Sequence, residues 1–428
     1  MSTTLRRDST IGNEGNSISP RRLFTASCVA MIATAMTFII RGDIMSPWGA
    51  QFHLTEAVVG SISSLAFFGF TISMFVGAPL CDLLGMGRLI ALAFLMHVAG
   101  ILVTIFAGSV IALYIGTLFI GMGNGLVEAA VNPLIATMYR SEKTRRLNKL
   151  HVWFPGGNVI GGLTAFALSL LLTNHVAPAH LWQIKMAAIL IPVFAYGFLF
   201  YGQKFPQTER VQSNVSTKEM YSTALKPLFL VFLFCMFLTA STELGTGQWM
   251  TVIMSTSLHI GLNGATTGVL VLVWINVLMA IGRNFAGNIV HRASPVALLL
   301  ISSVLSCAGL LLLGTANGTL AIFAAATLFA VGVCYFWPTM LGVTSERFPR
   351  GGSVLLGLMG GSGMLFVGLA LPYIGKEIST NDAHPAGSLI RMAIMPAILI
   401  VIFTVIFLRD KVRGGYKPEV LPIDSNNS

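Results

Sequence analysis

The sequence predicts an all-α membrane protein of twelve transmembrane helices arranged as two pseudo-symmetric six-helix bundles, and three observations predict it. The 428 residues are 55% hydrophobic and only 10% charged, with a mean hydropathy of +0.80, a composition of polytopic helical membrane proteins and of no soluble class. Apolar stretches of about 20 residues, the length needed to cross a bilayer, recur along the whole chain. Landmarks in the first half return in the second at a nearly constant offset, the weak internal symmetry that transporter folds carry.

Taken in order, the tail to about Ser19 is polar and rich in Gly, Ser and Asn, so residues 1–22 read as a disordered cytoplasmic tail. Spans 1 to 6 are expected near 23–44, 57–80, 88–107, 110–139, 150–173 and 181–201, an N-terminal bundle over 23–201. Span 1 is too long and lacks a convincing cleavage site to be a signal peptide. A basic cytoplasmic loop follows at 202–226. Spans 7 to 12 are expected near 227–255, 266–290, 294–314, 318–344, 352–375 and 387–408, a C-terminal bundle over 227–408, with a second cytoplasmic tail at 409–428.

The net charge of +10 is explained by where the basic residues fall. Arg6, Arg7, Arg21 and Arg22 precede span 1, Arg140 to Lys149 lie between spans 4 and 5, Lys204 to Lys226 fill the central loop, and Arg409 to Lys417 follow span 12. All lie on one side, which the positive-inside rule makes cytoplasmic, with both termini there. Lys185 and Lys376 are the main exceptions. The charge therefore calls for no nucleic-acid partner. Five cysteines, odd in number and without metal-ligand spacing, are expected as free thiols.

The repeat pairs Asp82 with His291, Asn132-Pro133 with Trp337-Pro338, and Gly157 with Gly361, at offsets of about 204 to 209 positions. It places a substrate cavity between the halves near the midplane. Within span 4, Glu128 stands in the apolar run GMGNGLVEAAVNPL. A charge at the bilayer centre costs on the order of 2.5 to 3.5 kcal/mol, so such an acid normally faces a bundle interior or a watery cavity. Asn124, Glu128 and Asn132 are four apart and share one helix face. A structural reading of Glu128, as a packing acid held by a fixed Arg or backbone donors, stands beside the functional one.

The run Gly77 to Arg88 (GAPLCDLLGMGR) resembles the signature between helices 2 and 3 of the major facilitator superfamily. The resemblance implies that Asp82 and Arg88 bridge helix ends on the cytoplasmic side. The second-half copy, Gly287 to Arg292, keeps the Gly and the Arg but has His291 where the acid would be. Asp82, Arg88, Arg283 and Arg292 are the expected gating residues. A narrower resemblance, to the fucose:proton symporter family, rests on Gly123-x-Gly125-x-x-Glu128-x-x-x-Asn132-Pro133, on Arg146-Leu147-Asn148, on Asp43 near the end of span 1 and on Gly282-Arg283 in span 8. It implies proton coupling through Glu128 and Asp43. Arg41, two residues before Asp43, and His151, in place of an uncharged polar side chain, depart from that family's pattern. Asp43 could instead sit at the interface, kept charged by solvent and Arg41.

Proton coupling needs a carboxylate that can be desolvated in one state and meet water or a cation in another. Sugar recognition needs neutral donors and acceptors that fork onto adjacent hydroxyls, and flat aromatic faces. Asn124, Asn132, His151, Gln248 and Asn276 can supply the first, Trp249, Trp274 and Trp337 the second. Glu243 shares a face with Thr239 and Thr246 and is expected to line the cavity or to bond a neighbouring helix. Arg283 either pairs with an acid or braces the gate. Gly121 to Gly125 lacks the Lys-Ser/Thr of a phosphate loop and is expected to permit close helix contact. The expected function is a secondary active transporter, monomeric and without cofactor or metal, that imports a neutral sugar or polyol by proton symport with alternating access. Sodium coupling, an exporter of apolar compounds and a non-transporting membrane sensor are the competing readings. No catalytic constellation suggests an enzyme.

Overall fold

The computed structural model describes residues 18–172, 174–247, 250, 253–254, 264–379 and 387–421. Among them eleven helices are long and apolar enough to cross a bilayer, and a shorter apolar stretch, Leu270–Ala286, supplies the twelfth span. Spans 1 to 4 are the continuous helices Pro20–Phe52, Glu56–Leu84, Met86–Ile105 and Val110–Met138. Local chemistry sets their ends. The hydroxyls of Thr55 and Ser109 accept the orphan amides of Val58 and Ala112, and Gly85, at φ +84°, makes the tight corner between spans 2 and 3 that a side chain would strain. Proline occupies the first turn of spans 1, 7 and 9, where its missing N–H is harmless.

Several later spans are interrupted. Span 5 is Lys143–His151 followed by Trp153–Leu172, and span 6 is Pro178–Ala188 followed by Leu190–Phe200. Span 7 runs Pro227–Ala240 and continues as a π-helical turn, Ser241–Gly245. Spans 8 and 9 are Gly264–Arg292 and Pro295–Thr315. Span 10 is Thr319–Val333 followed by Phe336–Arg347, span 11 is Gly352–Ser379, and span 12 is Gly387–Met392 followed by Ile394–Val412. Twelve crossings bring the start of span 1 and the end of span 12 to one face.

Small residues let the helices approach. A Cβ at Gly121 would lie 2.3 Å from the Ala66 carbonyl oxygen, and one at Gly125 2.4 Å from that of Phe70, so spans 2 and 4 touch backbone to backbone. The halves meet along two seams. Thr71 Oγ1 of span 2 donates to the Gly361 carbonyl of span 11 at 3.3 Å, and Asn158 of span 5 donates to Asn276 Oδ1 of span 8 at 3.0 Å.

On the face that carries the termini, the helix Lys143–His151 wedges against Phe336–Arg347. Lys143 Nζ donates to the Ser345 carbonyl at 3.1 Å, and the Thr144 amide donates to Glu346 Oε1 at 3.0 Å. The central loop, expected as basic filler, holds two short helices, Glu209–Gln212 and Thr217–Ala224. The first of these is stapled to the bundle by Lys143–Glu209 at 2.6 Å and Arg210–Asp82 at 2.7 Å. The C-terminal tail also docks, with Tyr416 Oη donating to Glu346 Oε2 at 2.6 Å and the Glu419 amide to the Glu346 carbonyl at 2.7 Å. Burial, and then the Glu346 carboxylate beside it, push the Tyr416 phenol well above its ordinary range, so it stays a donor.

Candidate transport site

Span 10 breaks for a reason that reaches into the site. Pro338 has no N–H to offer the carbonyl four residues before it, that of Cys334, and the helix interrupts there. Pro155 does the same to the His151 carbonyl, and span 5 interrupts at Val152. Both freed carbonyls turn to one side chain. Arg283 of span 8, 2% exposed, donates Nε to the Cys334 oxygen at 2.6 Å and Nη1 to the His151 oxygen at 2.9 Å. Its Nη2 meets Glu243 Oε1, on the π-helical turn of span 7, at 2.7 Å. One guanidinium thus joins irregularities in spans 5, 7 and 10, and spans both halves.

Glu128, 2% exposed, faces the same place from span 4. Its Oε2 accepts from Asn132 Nδ2 at 3.1 Å and from Trp337 Nε1 at 3.4 Å. Asn132 Oδ1 in turn accepts from His151 Nε2 at 3.1 Å. Asn132 and Trp337, the two positions paired by the internal repeat, therefore converge on one carboxylate. Every donor to Glu128 is neutral, and among the described residues Glu128 forms no ion pair.

Glu128, His151, Glu243, Arg283 and Trp337 line one cavity, closed on its apolar side by Phe154, Leu244 and Met364. Its volume is about 10 Å³, room for about one water. Two carboxyl groups and one guanidinium face it, so with Glu128 ionised the lining carries one net negative charge, and with Glu128 protonated it is neutral.

Other residues singled out in the sequence fall elsewhere. Asp43 lies outside the cavity, its side chain 41% exposed and paired with Lys185 of span 6 at 2.5 Å. Arg41 does not hold it: Arg41 donates to Ser63 Oγ at 3.1 Å and stacks over Phe38. Asn124 points away from Glu128 into a buried chain. Its Nδ2 donates to Thr37 Oγ1 at 2.8 Å, its Oδ1 accepts from His97 Nε2 at 2.8 Å, and His97 Nδ1 meets the Tyr196 hydroxyl at 2.9 Å. At one turn's spacing a helix advances 40° per step, so the far end of the polar stripe faces spans 1 and 3 rather than the other half. Asn276 sits on the seam with Asn158. Trp274 is 39% exposed and donates to Thr327 Oγ1 within its own half. Gln248 and Trp249 lie outside the described residues, and the Arg292 backbone continues span 8, its side chain outside them.

The residues expected to gate are paired differently from the expectation. Asp82 does not bridge to Arg88, which is exposed; its carboxylate takes Arg210 Nε at 2.7 Å and Thr208 Oγ1 at 2.6 Å, both from the central loop. Lys143, Arg210 and Glu346 make contacts on the terminus-bearing face that sequence reasoning missed. The only available signal was the odd placement of acids, Glu209 and Glu346, among basic loops.

A family model described as Major Facilitator Superfamily matches residues 23–371. Among solved structures, a variant of the E. coli fucose:proton symporter superposes with a TM-score of 0.73 at 18% identity, over 89% of this chain and 98% of that one. The proton:xylose symporter XylE gives 0.72 at 14% identity, over 90% and 95%, and the human organic anion transporter TETRAN gives 0.66 at 15% identity, over 90% and 100%. In sequence, a probable chloroplastic anion transporter of Arabidopsis thaliana is 25% identical over 221 residues, 48% of this chain and 40% of that protein's length.

Proposed function

Because the chain belongs to the Major Facilitator Superfamily, we propose that it imports a neutral sugar or polyol together with a proton by alternating access, with Glu128 as the proton carrier. The observation that carries this reading is the contrast between the two acids of the cavity. Glu243 is neutralised by Arg283, whereas Glu128 is held only by neutral donors. Taking up one proton therefore makes the lining electrically neutral, and a neutral substrate then crosses without adding charge to a low-dielectric site. An anion would face two carboxyl groups and a single guanidinium already bonded to one of them.

The asparagine–histidine chain behind Glu128 holds its carboxylate toward the seam between the halves, where a rocking motion alternately exposes it. The closed cavity and the contacts on the terminus-bearing face fit a conformation shut on that side. We assign that face to the cytoplasm from its basic loops, in the plasma membrane or a bacterial inner membrane. Asp43, paired with Lys185 near the opposite face, would act as a relay at the outer mouth. Fold likeness to two sugar:proton symporters supports the reading.

Uptake into proteoliposomes across a panel of labelled sugars and polyols, with and without an imposed pH gradient, tests it. Gradient-dependent accumulation of a neutral polyol is the expected result; accumulation only of an organic anion, or dependence on sodium alone, would replace it.

A further inference from the structure

The Glu243–Arg283 pair is incompletely used. Glu243 is 7% exposed and lines the cavity, yet its second oxygen, Oε2, is buried without a hydrogen-bond partner among the described residues. The backbone amide of Trp337, in the first turn of the second segment of span 10, lies near the Glu243 carboxylate. Arg283 carries five N–H donors. Among the described residues three are committed, to Cys334, His151 and Glu243, which leaves two. A buried charged acceptor without a donor is expensive, so sites that keep one normally fill it with water or ligand.

We propose that this ion pair reads two adjacent hydroxyls of the substrate: one donates to Glu243 Oε2, and its neighbour accepts from an uncommitted N–H of Arg283. The inference rests on the sugar or polyol reading above and narrows it to a vicinal diol. An ion pair offers an acceptor and a donor side by side, and a vicinal diol offers the complementary donor and acceptor. A single hydroxyl can serve both only by sitting between them as donor and acceptor at once, whereas a vicinal diol gives each its own hydroxyl. A carboxylate ligand would set its own acceptors against Oε2 and is rejected. The cavity as it stands has room for about one water, and a diol would supply the bonds such a water could make when the halves part to admit it. The three existing bonds to Arg283 serve to fix the guanidinium, so little ordering remains to be done on binding.

The test is competition in a counterflow assay, where exchange needs binding but no net proton movement. The best-bound neutral sugar or alditol of the panel is compared with its singly deoxygenated and singly O-methylated derivatives and with the corresponding sugar acid. Expected for the wild type is a loss on the order of 10- to 100-fold at two adjacent carbons, the range for hydrogen bonds to charged groups, and no competition by the acid. Glu243→Gln keeps a carbonyl for Arg283 but replaces Oε2 with a donor. It should lower affinity for the parent by that same factor while leaving the derivative deoxygenated at the Glu243-read carbon unchanged, so discrimination collapses. A folded Glu243→Gln protein that discriminates as the wild type does would overturn the diol assignment and leave the transport reading intact. Losses at non-adjacent carbons, or at none, in the wild type alone would do the same even if the variant fails to insert. Binding of the sugar acid in preference to every neutral compound would overturn both.

Discussion

Glu128 and Asp43 are both carboxylates in apolar helices, and their surroundings separate them. Among the described residues Glu128 accepts only from Asn132 and Trp337, so no ion pair opposes its protonation, and the Arg283 guanidinium of the same cavity is already paired with Glu243. Asp43 has the ammonium of Lys185 at 2.5 Å and is partly solvated. Glu128→Gln mimics the protonated acid, so counterflow should survive while gradient-driven accumulation fails; wild-type accumulation would remove Glu128 as the carrier. Asp43→Asn leaves Lys185 without its partner and should slow uptake several-fold while preserving the final accumulation ratio. If the ratio falls instead, Asp43 is a second coupling acid. At Arg283 the chemistry is that of a fork: a lysine has no planar array to reach two carbonyls and a carboxylate.

At the level of helices, close approach and buried ion pairs do the work of holding spans in register. A methyl at Gly121 would fall 2.3 Å from a backbone oxygen of span 2, and backbone cannot swing away as a side chain can. Gly121→Ala should therefore cost about 1 to 3 kcal/mol through overpacking, read as a lower thermal midpoint of the purified protein in detergent. An unchanged midpoint would mean spans 2 and 4 are less tightly apposed. Asp82→Asn acts elsewhere. Breaking a buried pair costs about 3 to 5 kcal/mol, and the Asn retains a hydrogen-bond acceptor, so the loss should sit at or below the low end. Because Arg210 and Thr208 tie Asp82 to the closed face, the variant should shift the conformational equilibrium and slow transport, with binding changed only by the population-shift factor. Complete loss of substrate binding in correctly inserted protein would place Asp82 in the substrate site.

For the molecule as a whole, the two halves meet through seams and a clasp. The seams are spans 2 with 11 and 5 with 8; the clasp combines Lys143, Thr144, Ser345 and Glu346 with the central loop and the docked tail. The proposed alternating access would undo the clasp and leave the seams able to pivot. If each turnover carries a proton inward, substrate addition should alkalinise the external medium, and collapsing the proton gradient should abolish accumulation. Uptake that requires sodium and ignores the collapsed gradient would exclude the proton mechanism.

Hydropathy and basic-loop placement alone were enough to read twelve spans, because a bilayer imposes length and apolarity on each helix independently of its neighbours. The repeat was legible for a similar reason: prolines and glycines leave fixed marks, and Asn132-Pro133 and Trp337-Pro338 proved to meet at Glu128. Partner choice was not legible. Whether Asp82 pairs with Arg88 or Arg210, whether Asp43 meets Arg41 or Lys185, and whether Asn124 joins Glu128 or His97 depend on which helix faces which, and many arrangements share the same hydropathy. Even the helix breaks at Pro155 and Pro338 acquire meaning only in three dimensions, where a single guanidinium from span 8 reaches both carbonyls that those prolines leave without an amide.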